Sequence, residues 1–262
     1  MKREILISAV NRETRVAILE DDQLVELLVD RPDVKRLVGD IFIGKVDAVL
    51  PGIQAAFVDI GTEKSAFLHA SDLVYDESVP DDDDEDDEDD EPEDDEKGGG
   101  DRRRDGRRSR RRAEAPAIQD VLKKGQDIIV QVTKEAISTK GPRVTAQVSL
   151  AGRFLVFMPH ASRVGVSRKI GERAERQRLR ELVEGVLPEK SGGVIVRTVG
   201  EDVTRETFER ELQTLIAQWK RIKRKTTFVR APSLLHRETS LTRGIIRDIF
   251  STKVENVQVD SK

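Results

Sequence analysis

The sequence predicts an α+β fold organised around a small β-barrel, and three observations support this. Five short strand patterns, separated by turns rich in glycine, fall between residues 39 and 150. Three alternating strand patterns precede them, and strand and helix patterns alternate after residue 150. Five short strands with glycine-marked turns have the proportions of an OB-type barrel.

The first 30 residues are expected to form an antiparallel meander. Alternating or β-branched runs occupy Glu4–Val10, Thr14–Leu19 and Leu24–Val29. Asn11 and the pair Asp21-Asp22 separate these runs, and both residue types favour tight turns. Three strands joined by short turns therefore predict a small sheet at the start of the chain.

The barrel strands are expected next along the chain. Their predicted positions are Gly39–Val46, Ile53–Ile60, Ser65–His69, Asp127–Thr133 and Arg143–Leu150. A long charged segment separates the third of these strands from the fourth, so it is predicted to be an insertion within the barrel.

The inserted segment, residues 77–112, is predicted to be a disordered loop. Fifteen of the sixteen residues from 81 to 96 are Asp or Glu, and eight Arg follow between 102 and 112, after three consecutive glycines. Blocks of like charge with almost no apolar residues do not fold by themselves. The segment is interpreted either as a solvated insertion or as an element that competes with RNA or binds a partner.

The remainder of the chain alternates between strands and amphipathic helices. Helices are predicted from apolar residues recurring every three or four positions, and short apolar runs predict strands. The helices are expected at Glu172–Leu187, Thr204–Lys223 and Thr239–Phe250, and the strands at Phe154–Met158, Val194–Val196 and from Val257. A strand that opens at the last residues indicates that the chain is a piece of a longer protein.

Composition narrows the class of protein. The chain has no cysteine, which excludes disulfides, thiolate metal sites and cysteine nucleophiles. No apolar run approaches the roughly 18 residues that span a bilayer, and the N-terminus lacks the apolar core of a signal peptide. A cytoplasmic protein without a membrane span is therefore expected.

The net charge of the whole chain is −4, but the sequence outside the charged insertion is mildly basic. Outside residues 81–112 the chain carries 37 Lys and Arg against 33 Asp and Glu, a net charge of +4. This balance weakly favours a polyanionic partner.

Two phenylalanines are candidates for contact with nucleic-acid bases. Because side chains alternate along a strand, Ala56, Val58 and Ile60 are expected to face the barrel core, which places Phe57 with Ala55 and Asp59 on the other face. The same alternation places Ala66 and Leu68 inward and Phe67 outward. Exposed aromatic rings stack on bases. The alternative is that both rings pack beneath a neighbouring domain.

Three lysines are candidates for contact with the phosphate backbone. Lys45, Lys134 and Lys140 lie on or next to the predicted barrel strands. Any one of them could equally be a solvated surface charge.

A second candidate site follows the predicted strand Val194–Val196. Arg197 and Thr198 come directly after it and precede Gly200. Ligands collect at the carboxyl ends of strands in α/β layers, and an Arg fork with a Thr hydroxyl can bind a terminal phosphate. A structural salt bridge is the alternative for Arg197.

No catalytic motif is evident. The sequence lacks phosphate-binding glycine loops, an H-E-x-x-H pattern and a Cys/His metal spacing. Its three histidines are far apart, and its dense carboxylates lie in the charged insertion, where nothing fixes their geometry.

Three long stretches resemble the ribonuclease E/G family. They are PGIQAAFVDIGTEKSAFLHASDL (51–73), GQDIIVQVTKEAISTKGPRVTAQVSLAGRFLVFMPHASRVGVSRKI (125–170) and GGVIVRTVG (192–200). The wording MPHASRVGVS is more similar to the ribonuclease G branch. The resemblance covers essentially the whole chain except the charged insertion and extends over the N-terminal half of the family.

The resemblance implies a domain organisation. Residues 1–36 and 243–262 would form two parts of an RNase H-like subdomain, the second incomplete. Residues 37–145 would form an OB-fold RNA-binding domain of the S-one type, and residues 146–242 a 5′-sensor region.

The resemblance also implies roles for particular residues. Phe57 and Phe67 fall on RNA-stacking aromatics, and Lys134, Lys140 and Arg168 fall on basic residues that contact RNA. The positions that fall on the 5′-phosphate pocket are Gly152, Val156, Arg197 and Thr198.

Family members cut single-stranded, AU-rich RNA and prefer a 5′-monophosphate. This predicts a part of an endoribonuclease that acts in rRNA processing and mRNA decay, is a homo-oligomer when complete, and uses Mg²⁺. The family's magnesium-binding aspartates and zinc-binding cysteines have no counterpart in this chain, which predicts that the chain alone is inactive. Two alternatives are a non-catalytic single-stranded RNA-binding protein and a structural, ribosome-associated OB protein.

Overall fold

The structure is a computed structural model that describes residues 2–9, 13–31, 36–73, 117–238, 244–245, 247–248 and 254–260. The predicted charged loop at 77–112 lies outside the described residues. Among those that are described, three sheets and three helices give an α+β fold, as the sequence predicts.

The first sheet contains the predicted meander. Strands β1 (Arg3–Ser8), β2 (Thr14–Glu20) and β3 (Gln23–Asp30) pair antiparallel in chain order. Asp21 and Asp22 form the second turn, and both adopt positive φ (48° and 64°), as a tight hairpin turn of the primed type requires. The last described strand, β14 (Val254–Val259), pairs parallel with β1, which joins the two ends of the described chain in one sheet.

A closed five-stranded barrel follows the first sheet. Its strands are β4 (Ile41–Leu50), β5 (Ala55–Asp59), β6 (Ala66–His69), β7 (Asp127–Lys134) and β8 (Arg143–Thr145). They are ordered β4-β5-β6-β8-β7, and β7 pairs with β4 to close the ring. The short helix α1 (Ile118–Val121) precedes β7 and buries Ile118 in the barrel core. This closed barrel is consistent with the OB-type fold that the sequence predicts.

The predicted fifth strand, Arg143–Leu150, is wrong in its second half. The chain leaves the barrel after Thr145 and enters another sheet as β9 (Leu150–Ala151). The buried side chain of Gln131 replaces ladder hydrogen bonds at this exit: its Nε2 donates to the carbonyls of Gly39 and Ser149 (3.0 Å each), and its Oε1 accepts from the Ser149 N–H (2.9 Å). An amide side chain can thus satisfy the backbone where the two sheets diverge.

The third sheet packs against two helices. It contains β9, β10 (Leu155–Met158), β11 (Val164–Val166) and β12 (Gly193–Val196) in the order β11-β12-β10-β9. Helices α2 (Arg173–Glu184) and α3 (Arg205–Lys225) match the first two predicted helices to within three residues at each end and share a core with this sheet. Strand β11, which has only three residues, was not predicted.

Strand β4 belongs to two cores at once. Strand β13 (Ser233–His236), also absent from the sequence prediction, pairs with Ile41–Ile43 and links the end of α3 to the barrel. Ile41 and Ile43 pack in the core of the third sheet, whereas Phe42 and Val46 pack in the barrel core. Because side chains alternate along a strand, β4 forms a shared wall between the two units.

The third predicted helix, Thr239–Phe250, lies largely outside the described residues. The four positions described within it (244, 245, 247 and 248) are helical. Ile245 is buried against Ile5, Ile7 and Val16 of the first sheet, so this segment contributes to a third, smaller core.

We expect Gln131→Met to lower the free energy of unfolding by about 2 kcal/mol or more. Methionine keeps the side-chain length but removes the partner of three partly buried backbone groups of Gly39 and Ser149, and a buried group left without a partner costs about 1–3 kcal/mol. Urea unfolding followed by circular dichroism measures the change. The matched control, Gln23→Met on exposed β3, should alter stability by less than about 0.5 kcal/mol; equal effects for both variants would contradict the account.

Candidate nucleic-acid interface

A groove of about 940 Å³ opens on the outside of the barrel. It lies between strands β4 to β6 and the loop that joins β7 to β8, and is called the barrel groove below. Its walls are made by aromatic, aliphatic, cationic and acidic side chains, chiefly Asp47, Phe57, Lys64, Phe67, Lys134, Glu135, Ile137, Lys140 and Arg143.

Phe57 and Phe67 form the aromatic floor of the barrel groove. They are directly opposed on β5 and β6, with ring centroids 6.1 Å apart in an edge-to-face arrangement at 69°. Phe57 is 36% exposed and Phe67 is half-buried, whereas the flanking Ala56, Val58, Ala66 and Leu68 are fully buried. The outward placement of both rings is therefore as predicted. Ala55 is buried rather than on the wet face; it begins β5 directly after Gln54, whose side-chain Oε1 accepts the Ile118 N–H (3.0 Å).

The structure brings two of the three candidate lysines to the groove. Lys134 and Lys140 line it, and neither forms an ion pair with any residue in the described ranges. Lys45 on β4 lies opposite Asp59 on β5. Its side chain is exposed and is not part of the groove wall. Two ammonium groups without an ion-pair partner among the described residues thus line the same groove as two aromatic rings, a combination whose chemistry suits both phosphates and bases.

Three further groove residues were not identified from the sequence. Lys64 donates from its Nζ to the Ser138 carbonyl (3.0 Å), and Arg143 forms an ion pair with Asp72 (2.8 Å). Ile137 is 70% exposed and is bridged to Lys140 across the turn of the β7–β8 loop. Its signal in the sequence is weak, because Ile137 and the small Ala136 are two neighbouring aliphatic residues in an otherwise polar segment from Glu135 to Gly141.

The second candidate site lies at one end of the third sheet. Strands β11 and β12 are parallel, with Val166 opposite Val196, and the Ser167 N–H extends the ladder to the Val196 carbonyl (2.9 Å). Arg168 comes two residues after Val166 and Thr198 two residues after Val196, so both follow their strands at the same end of the sheet. Both side chains are exposed. The five positions Gly152, Val156, Arg168, Arg197 and Thr198 are called the Arg197 cluster below.

Arg197 is held from two sides. Its Nη1 donates to the Gly152 carbonyl (2.8 Å) and to Asp248 Oδ1 (2.6 Å), and its backbone N–H donates to the Phe154 carbonyl (2.8 Å). The salt bridge considered from the sequence is therefore present. Both side-chain contacts of Arg197 use the single nitrogen Nη1, which leaves Nε and Nη2 as donors for an anion.

Position 152 must be glycine because the carboxylate of Glu211 lies directly beside it. Glu211 on α3 accepts the N–H groups of Arg153 (2.6 Å), Phe154 (2.9 Å) and Leu155 (2.9 Å). A Cβ at position 152 would lie 2.7 Å from the Glu211 carboxyl carbon, so any larger residue would displace that carboxylate. Val156 is half-buried on β10 opposite Ile195, one strand from Arg197.

Asp248 joins two arginines. Its carboxylate accepts from Arg197 and from Arg247, whose Nε lies 3.0 Å away. Burial alone would raise the pKa of Asp248, but the hydrogen bonds and positive charges of Arg247 and Arg197 outweigh it and hold this pKa below its ordinary value. The anionic form of Asp248 is thus stabilised by the fold.

No group of three or more His, Cys, Asp or Glu within the described ranges could hold a metal ion. The described residues therefore supply no set of ligands that fits the Mg²⁺ implied by the family resemblance. Across the same ranges, no helix is long and apolar enough to cross a membrane.

Comparison with known proteins places the chain in a family. The sequence model of the Ribonuclease E/G family matches residues 149–262. Ribonuclease G of Haemophilus influenzae is 36% identical over 99% of this chain, and ribonuclease G of Escherichia coli K12 is 34% identical over all of it. The chain belongs to the ribonuclease E/G family. The expected likeness to its ribonuclease G branch is confirmed.

The match covers only part of the relatives. The chain spans 48% of the length of both ribonuclease G sequences. It spans 33% of ribonuclease E of Synechocystis, to which it is 33% identical over its whole length. The chain thus corresponds to about half of a ribonuclease G.

We expect Asp248→Asn to lower the free energy of unfolding at pH 7 by about 1 kcal/mol, a value that allows for screening of a side chain that is 36% exposed. A carboxyl whose pKa is depressed in the fold stabilises it above the unfolded pKa of about 3.9. That contribution is lost as the pH falls through the lower folded pKa.

The difference in stability between wild type and Asp248→Asn should therefore shrink between pH 5 and pH 2.5, as measured by urea unfolding at each pH. Glu189→Gln, at an exposed surface position, is the control and should show little difference at any pH. A difference that stays constant as the pH falls would rule out this role of the carboxylate.

Proposed function

We propose that the chain is the RNA-recognition part of a ribonuclease G-like, single-strand-specific endoribonuclease that acts in rRNA processing and mRNA decay in the cytoplasm. The observation that carries the proposal is the barrel groove, where two outward phenylalanines lie beside two unpaired lysines. Membership of the ribonuclease E/G family supports RNA as the polymer.

The barrel groove suits single-stranded RNA for a geometric reason. Only an unpaired strand can turn its bases onto an aromatic floor while its phosphates point toward the rim. Phe57 and Phe67 offer π-faces that accept any base, and Lys134 and Lys140 are placed to contact the backbone. This combination supplies affinity with little sequence preference, as expected of an enzyme that acts on many transcripts.

The Arg197 cluster is proposed to bind a 5′-monophosphate. Nε and Nη2 of Arg197 and the Thr198 hydroxyl supply donors for a compact dianion, and Arg168, exposed at the same end of the sheet, is proposed to contact the adjoining RNA. Gly152 anchors Arg197 through its carbonyl, and Val156 forms part of the adjoining sheet face. A 5′-hydroxyl offers no charge to these groups.

The described residues are proposed to bind RNA and to take no part in a chemical step. The family resemblance implies that Mg²⁺ supplies an activated water for phosphodiester hydrolysis in the full-length enzyme. Because the family's magnesium-binding aspartates have no counterpart in this chain by the resemblance, we propose that these 262 residues bind RNA without cutting it.

We expect Phe57→Ala and Phe67→Ala each to weaken binding of a 12-nucleotide AU-rich RNA by about 1–3 kcal/mol, the contribution of one stacked base. Fluorescence anisotropy with a 3′-labelled oligonucleotide measures the affinity. Ile53→Ala is the matched control: it removes an exposed apolar side chain (58%) at the base of the same hairpin and outside the groove.

Thermal melting of the same variants separates stacking from packing. A ring that stacks on RNA should leave the melting temperature nearly unchanged. If instead either substitution costs the 3–5 kcal/mol of stability that is typical of a core phenylalanine, the ring is structural and the groove assignment is wrong.

We expect Arg197→Ala to abolish a preference for 5′-monophosphorylated over 5′-hydroxylated RNA of identical sequence, since a charge-assisted hydrogen bond contributes about 1.5–3 kcal/mol. Competition titrations with the two oligonucleotides measure the preference. Binding of the 5′-hydroxyl form should survive, because it depends on the barrel groove.

Thr198→Val is the milder companion variant, because it removes a hydroxyl without touching the bonds to Gly152 and Asp248. It should reduce the preference without abolishing it. Equal affinity of the wild-type chain for the two oligonucleotides would refute the assignment of the Arg197 cluster.

A further inference from the structure

The carboxyl end of α3 carries a cationic surface with a solvent-exposed aromatic ring. Its members, called the α3 basic end below, are Lys220, Arg221, Arg224, Phe228 and Arg230, all exposed. Phe228 is 82% exposed, the highest value among the large exposed hydrophobic side chains of the described chain. Neither the proposed groove nor the Arg197 cluster includes any of these residues.

Backbone geometry places three of these side chains in one stripe. The N–H groups of Thr227 and Phe228 donate to the carbonyls of Arg224 and Lys225 (3.2 and 3.0 Å), so helical turns continue to Phe228. Residues three and four positions apart share a helix face. Arg221, Arg224 and Phe228 therefore follow one another along the same side.

The four cations of this surface are not neutralised by ion pairs within the described part of the chain. None of the four cations forms an ion pair with another described residue. Cations near a helix C-terminus are stabilised by the helix dipole, which accounts for part of the pattern. The dipole does not account for the exposed ring of Phe228, because an aromatic side chain in contact with water contributes no hydrophobic free energy to folding.

The chain that follows the α3 basic end reaches a turn that precedes part of the groove wall. Pro232, four residues after Phe228, contacts Gly61 at the turn that follows β5, with 3.7 Å between its Cβ and the position that a Gly61 Cβ would occupy. Ser233 then pairs with Ile43 of β4, so β13 continues along β4 from the point where β5 ends. Lys64, three residues beyond Gly61, is part of the groove wall.

We propose that the α3 basic end is a second contact surface for single-stranded RNA, which receives nucleotides that leave the barrel groove past the Gly61–Lys64 turn. Phe228 stacks on a base, and Arg221 and Arg224 contact phosphates. An exposed aromatic ring interleaved with unpaired arginines has the same chemistry as the groove, and a polyanion with flat bases complements both. This inference rests on the proposed role of the groove in RNA binding.

The experiment compares two lengths of 5′-hydroxyl, U-rich RNA, a 6-mer that only the groove holds and an 18-mer that exceeds the site of one OB fold. Phe228→Ala should weaken binding of the 18-mer by about five-fold or more and leave the 6-mer unchanged. Phe57→Ala should weaken both. Melting temperatures of both variants should match that of the wild type.

The salt dependence of binding tests the arginines separately. Each phosphate contact to a single strand contributes about 0.7 to the slope of log K against log salt concentration. The double variant Arg221→Gln/Arg224→Gln should therefore lower the slope for the 18-mer by up to about 1.4 and leave the 6-mer slope unchanged. The control Lys190→Gln/Arg210→Gln removes the same charge elsewhere on the surface and should leave both slopes unchanged.

The outcomes distinguish this inference from the proposal beneath it. A loss of affinity from Phe57→Ala without a length-dependent loss from Phe228→Ala overturns the second surface and leaves the groove in place. An equal loss from Phe228→Ala for both lengths also overturns it, because the ring would then act within the groove or on the fold. No loss from Phe57→Ala with either RNA contradicts the proposed function itself.

Discussion

The structure depends on the two-sided burial of strand β4. Its alternate side chains belong to two different cores: Ile41 and Ile43 pack with the third sheet, while Phe42 and Val46 pack inside the barrel. Between them, a Cβ on Gly44 would lie 2.5 Å from the Val58 side chain, so only glycine allows β5 to approach. One strand thus closes the barrel through β7, pairs with β13, and contributes side chains to both cores.

Strand β4 connects the three surfaces that are proposed to bind RNA. The barrel groove opens beside β4 to β6, and the α3 basic end is attached to the same strand through β13. The Arg197 cluster belongs to the third sheet, whose core includes Ile41 and Ile43.

Local patterns in the sequence were enough to predict much of this arrangement. Alternation along β5 and β6 identified the outward faces of Phe57 and Phe67, and helical periodicity located α2 and α3 closely. The exit of the chain from the barrel after Thr145 was not predictable, because it depends on the long-range hydrogen bonds of Gln131. Strand β11 has only three residues, too few for a periodic signal, and Asp248 reaches Arg197 only through the tertiary fold.

Photo-crosslinking tests the role of the barrel groove most directly. A single-stranded RNA that carries 4-thiouridine at each position in turn would be bound, irradiated and mapped by mass spectrometry on the wild-type chain. The account predicts that crosslinked bases concentrate on peptides containing Phe57 and Phe67. Crosslinks concentrated instead on the exposed face of β1 to β3, with none on β5 or β6, would contradict it.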